Sequence, residues 1–168
     1  MKRLLVFSIL VCSLAVEVWA AGVAPANFSG TWVLDKAKSE NLSGMMAGAD
    51  VTMMVTQDAK QLTTETTFTG GEREVPPQKA TYNLDGSEST VEMTGRMPGK
   101  ATLKAKWMGD GSILELNSVQ NVNVQGNDVT ITRQDHWELA EGGKVLKVHR
   151  SSESPRGKQE SKLVFNKK

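Results

Sequence analysis

The stretch Ala101-Thr102-Leu103-Lys104-Ala105-Lys106-Trp107-Met108, followed by Gly109-Asp110-Gly111-Ser112 and then Ile113-Leu114-Glu115-Leu116, reads as strand, turn and strand. Apolar and polar residues alternate from Ala101 to Trp107. That period of two puts one face of a strand into a core, whereas a helix would show a period of 3.6. Gly109, Asp110 and Gly111 suit the positive φ angles of a tight hairpin connection.

The same grammar extends outward over most of the chain. Alternating runs cover Thr31–Leu34, Val51–Gln57, Gln61–Thr69, Lys79–Leu84, Ser87–Thr94, Ala101–Met108, Ile113–Val124, Val129–Leu139, Val145–Ser152 and Lys158–Asn166. Turn residues such as Asp58-Ala59-Lys60, Gly70-Gly71, Asp85-Gly86, Gly126-Asn127-Asp128 and Gly142-Gly143 separate them. Links this short make antiparallel neighbours, because parallel strands need crossovers of a dozen residues or more. An open meander of this length would expose long unpaired edges, and closure removes them. The expected fold is all-β: a single up-and-down antiparallel β-barrel of about eight to ten strands. One long connection, Asp35 to Asp50, breaks the rhythm. Lys36 to Glu40 are expected to form a turn of helix there, and the segment to lie over one mouth of the barrel.

Ahead of the barrel, Lys2 and Arg3 precede the apolar run Leu4 to Val16, and Val18-Trp19-Ala20-Ala21 follows. Basic, apolar and small-residue regions in that order predict a cleaved signal peptide. The uncharged run ends at Glu17, short of the ~20 residues a membrane-spanning helix needs. The expected organisation is a signal peptide over residues 1–20, a short leader over 21–26 and a barrel domain over 27–168, with cuts after Gly22 or Ala24 as alternatives. The expected mature chain has no membrane span and is periplasmic or extracellular. Its only cysteine, Cys12, falls in the signal, so no disulfide is available. Val11 occupies the place where lipid attachment at Cys12 would require a small residue. Of 20 basic and 19 acidic residues, the signal holds Lys2, Arg3 and Glu17, which leaves 18 of each. A neutral chain has no general attraction for nucleic acid.

Phe28-Ser29-Gly30-Thr31-Trp32-Val33-Leu34 resembles the Gly-x-Trp opening strand of the lipocalins and fatty-acid-binding proteins, the calycin group. The unit running from Trp107 through Gly109-Asp110-Gly111 to Leu114, the unit His136-Trp137-Glu138-Leu139 with Gly143 to Val148, and the closing Val164-Phe165 are similar to small exported bacterial lipocalin-like proteins. The resemblance covers nearly all of residues 27–168. It implies a lipocalin-like barrel, and carries fold further than activity.

Alternate residues of a barrel strand face the lumen. Trp32, Phe68, Trp107 and Leu116 take inward positions, and Gln120 shares the face of Leu116. Keeping Trp137 inside brings Arg133 and Asp135 inside too, and Leu146 and Val148 carry Arg150 with them. A buried guanidinium is costly unless paired and hydrogen-bonded. Three readings stand: Arg133 pairs with Asp135; an arginine packs over Trp32, as the resemblance implies; or an arginine holds a ligand carboxylate or phosphate, as in fatty-acid-binding proteins. Inward Thr64, Thr66 and Ser161 make the lumen wetter than a plain core, and the aromatic residues are too few to fill it.

No catalytic constellation is present. His136 and His149 fall on outer faces, no Gly-x-Ser-x-Gly elbow occurs, and no metal-ligand spacing is seen. No cofactor is implied. The expected function is a non-enzymatic exported binding protein taking a small hydrophobic or amphipathic ligand. Arg133, Arg150 and Asp135 stand at its polar head, and Trp32, Trp107, Trp137, Phe68, Leu116 and Gln120 line the rest. The alternative is a protein-interaction or inhibitor module with a packed lumen, meeting an envelope protein through residues 35–50 and the basic C-terminal strands.

Overall fold

The structure, a computed structural model, describes residues 24–71, 75–93, 98–124 and 126–168. The expected signal peptide, Cys12 and residues 21–23 of the leader lie outside them. Ten antiparallel strands form: β1 (Gly30–Leu34), β2 (Asp50–Gln57), β3 (Gln61–Thr69), β4 (Val75–Asn83), β5 (Ser89–Met93), β6 (Gly99–Met108), β7 (Ile113–Val124), β8 (Asn127–Ala140), β9 (Val145–Ser154) and β10 (Gly157–Lys167). They make one sheet in the order β4-β3-β2-β1-β10-β9-β8-β7-β6-β5. Every neighbour in the sheet is a neighbour in sequence except β1 and β10, which meet with Trp32 opposite Lys167. The result is an up-and-down barrel, nearly closed, with β4 and β5 flanking a gap in the ladder. Asn83 Nδ2 and Ser89 Oγ reach across it to the Glu88 and Thr81 carbonyls.

Two local expectations are corrected. The strand expected at Lys79–Leu84 begins at Val75 and runs through Pro76-Pro77. Proline lacks the N–H that a ladder uses, but β4 has a neighbour on one side only, where proline is tolerated. The register slips there, with Thr66 opposite Gln78 but Phe68 opposite Val75. The helical turn expected at Lys36–Glu40 forms instead over α1 (Met45–Gly48). Between Asp35 and Ser39, side chains take backbone groups that a helix would use, with Ser39 Oγ donating to the Asp35 carbonyl and Asp35 Oδ1 accepting from Lys38 N–H. Backbone bonds from Asp35 to Val164 and from Glu40 to Lys162 then tie this segment along β10.

The barrel is packed solid at one end. Phe28 is fully buried beneath it, stacked on Trp107 at 6.2 Å and edge-on to Trp137 at 5.7 Å. Trp32 Nε1 donates to the Phe28 carbonyl at 2.9 Å. Gln57 clamps this plug, accepting from Phe28 N–H and donating to the Ala26 carbonyl. Leu62, Leu114 and Leu146, all fully buried, complete the packed end.

Candidate functional site

Above the packed end, the inward faces of β8, β9 and β10 line up in two polar rows. Asp135 stands opposite Arg150, and Arg150 opposite Ser161. One step nearer the mouth, Arg133 stands opposite Ser152, and Ser152 opposite Gln159. On β7, Ser118 adjoins Arg133 and Leu116 adjoins Asp135. Period-two alternation on two long hairpins produces these rows, since each inward residue meets an inward residue across the ladder.

The lower row is satisfied internally. Arg150 Nε donates to Asp135 Oδ1 at 2.8 Å and Nη2 to Oδ2 at 2.7 Å, a fork that matches guanidinium to carboxylate. Burial works against the Arg150 charge, but the Asp135 charge and hydrogen bonds, with help from Tyr82, more than offset it and raise its pKa. Ser161 Oγ donates to the Asn41 carbonyl at 3.0 Å.

The upper row is not satisfied. Arg133 Nε is buried and has no hydrogen-bond partner. The Arg150 charge beside it, and then burial, lower the Arg133 pKa, and Asp135 and Tyr82 act in the opposite direction. Two guanidinium groups thus share one carboxylate, which Arg150 holds through both oxygens. Tyr82, on β4, is pushed up to about 12 by burial and by Asp135, against the pull of both arginines.

Arg133 and Arg150 border a cavity of about 220 Å³. Gln78, Ser152, Gln159 and Ser161 line it with polar groups, and Phe68 and Leu163 with apolar ones. Leu42, Ser43, Met45 and Met46 cover its mouth, so the Asp35–Asp50 connection lies over one end of the barrel, as its length suggested.

Of the residues singled out from sequence, Arg133, Arg150 and Phe68 line this cavity, and Asp135 adjoins it through Arg150. Trp32, Trp107 and Trp137 belong to the packed cluster around Phe28, with Leu116 buried beside Asp135. Gln120 lies on β7 opposite Ala101 and Ile131, at the next inward position after Ser118 and outside the cavity lining. Asp135 pairs with Arg150, not with Arg133 two residues away on its own strand. The place over Trp32 is taken by Lys167, whose Nζ lies 5.1 Å from the ring centroid. Gln78, Ser152, Gln159, Ser161 and Leu163 also line the cavity, beside the residues of the 35–50 connection, and none of them was among the expected site residues. A hairpin count would have found Ser152: stepping back from Ala140 opposite Val145 sets Asp135 against Arg150 and Arg133 against Ser152.

On the outer face, His136 Nε2 lies 3.1 Å from Glu115 Oε2. The hydrogen bond from Asn117 is the main cause that lowers the Glu115 pKa, with His136 and Lys106 assisting against burial. Among the described residues no three histidine, cysteine or acidic side chains gather as metal ligands, and no helix is long and apolar enough to cross a membrane.

The fold and lumen define the class: an up-and-down, lipocalin-like β-barrel with a cavity at one end. Neither a protein-family model nor a curated protein sequence matches the chain. Among solved structures, it is similar to a secretary abundant heat soluble (SAHS) protein from Ramazzottius varieornatus, with TM-score 0.54 and 14% identity over 83% of this chain and 94% of the other. It is also similar to the zebrafish ileal bile acid-binding protein in complex with cholic acid, with TM-score 0.52 and 13% identity over 84% and 98%. The fatty-acid-binding protein of Manduca sexta follows at TM-score 0.47, with 14% identity over 83% and 99%. At such identities the first two likenesses are of fold alone.

Proposed function

We propose that this chain is an exported, non-catalytic binding protein whose lumen takes a small amphipathic acid, with the acidic group on Arg133. The observation that carries the reading is the Arg133 guanidinium itself, whose buried Nε has no partner at the wall of a cavity. A buried cation left short of hydrogen bonds is costly, and a ligand carboxylate supplies both the charge and the acceptors. Phe68, Leu163 and Met46 offer an apolar side to such a ligand. The bound cholic acid of the zebrafish neighbour supports an amphipathic acid, and the basic-apolar-small leader supports export.

The two arginines separate binding from architecture. Arg133→Gln is expected to keep the apo fold and abolish retention of a small acid in native mass spectrometry. Arg150→Gln strands Asp135 without its partner and is expected to cost about 3 kcal/mol in denaturant unfolding. A lumen that is empty when purified from its host, and whose melting temperature no organic acid raises, overturns the binding reading.

A further inference from the structure

The cavity is small and mostly polar, and these two properties select among acids. Its 220 Å³ lies below the ~300–1,000 Å³ usual for drug-sized ligands. No long chain can continue downward, because Leu116, Trp137, Phe28 and Trp32 fill the lumen below the Arg150–Asp135 pair.

The upper row presents a guanidinium, a hydroxyl and an amide side by side on Arg133, Ser152 and Gln159, and Gln78, on β4 five strands around the sheet from β9, offers a second amide from across the cavity. Directly opposed residues hold their Cβ atoms about 5 Å apart, so these groups meet one short molecule together. A hydroxyl or amide both donates and accepts, and suits alcohol groups; covering it with hydrocarbon forfeits about tenfold in affinity per stranded group. Asp135 already balances Arg150, which leaves one positive charge, at Arg133, to be met by one carboxylate.

We infer that the ligand is a compact, hydroxylated monocarboxylic acid, its carboxylate on Arg133 and its hydroxyls on Ser152, Gln159 and Gln78. The inference rests on the acid-binding reading above, keeps its carboxylate on Arg133 and replaces most of its apolar body with hydroxyls, and it separates this lumen from one built for long-chain lipids.

Calorimetric titration of the full chain with gluconate, hexanoate and palmitate tests it. Gluconate is expected to bind at least tenfold more tightly than hexanoate, and palmitate to give no binding heat. Arg133→Gln is expected to weaken gluconate at least tenfold without lowering the melting temperature, and Ser152→Ala to weaken gluconate while leaving hexanoate unchanged. Hexanoate or palmitate binding more tightly than gluconate, and still depending on Arg133, would overturn the hydroxylated class and leave the acid-binding reading standing. No binding of any of the three acids, or binding indifferent to Arg133→Gln, overturns both.

Discussion

Tyr82 shows how single residues of the lumen respond to one another. Burial and the Asp135 charge hold its hydroxyl protonated up to about pH 12. In the unfolded chain a tyrosine releases its proton near pH 10. The folded state therefore binds the proton more tightly, so its contribution is full below pH 10 and is lost as pH rises toward 12. Wild-type protein is expected to lose on the order of 2 kcal/mol more than Tyr82→Phe across that window, as read by denaturant unfolding at fixed pH values. Parallel curves for the two proteins would place the hydroxyl away from the charged rows. The inward direction of Arg133, Asp135 and Arg150 was readable from sequence, because Trp137 and Leu146 fix the phase of their strands. Which arginine takes the carboxylate was not read from it. Same-strand spacing favoured Arg133, whereas the ladder sets Arg150 directly across from Asp135. Nor did alternation separate the tryptophans from the cavity, since inward residues at the packed end and at the open end share one face.

At the scale of elements, β4 and β5 are the weak members. β8 has a partner on each side, whereas β4 pairs only with β3 and β5 only with β6. Local stability follows such support. Hydrogen exchange is expected to be slowest in β8 and β9 and fastest in β5, with alternate amides of β4 poorly protected where they face the gap. Ser89→Ala, which removes the hydroxyl that reaches the Thr81 carbonyl, is expected to cost about 1 kcal/mol and to speed exchange in β5 selectively. Uniform protection around the barrel would contradict this reading of the gap. Most strands were readable because hairpin residues and alternation agree; Gln61–Thr69 and Ile113–Val124 match their expected limits. The beginning of β4 was hidden by Pro76-Pro77, which argue against a strand until its edge position is known. The helix was misplaced because composition around Lys36 favours one, while the bonds from Asp35 and Ser39 and the attachment to β10 hold that segment in another shape.

At the scale of the whole molecule, the contact between the first and last strands matters most. Gly30 has φ +141°, and a Cβ built on it would lie 2.6 Å from Lys167 Cε. The missing side chain lets Lys167 cross to the Trp32 ring. Gly30→Ala is expected to cost about 2 kcal/mol, from the contact and the backbone angle together. Adding Lys167→Ala is expected to recover only part of that loss, since the angle remains. Thermal melts of the single and double variants decide it: a fully recovered double variant would show that the contact alone matters, and an unaffected single variant would contradict both terms.

The same seam sets the order in which this protein can be made. Eight of its strand pairings form between neighbours along the chain, and hairpins of that kind assemble quickly wherever they arise. β1 has β2 at hand but must wait for residues 157–167 before its other side is covered, a closure across nearly the whole length of the domain. Contacts between such distant residues slow folding. The arrival of β10 is therefore expected to limit the folding rate, and a chain synthesised without it would carry the open flanks of β1 and β9 as sites for joining another molecule.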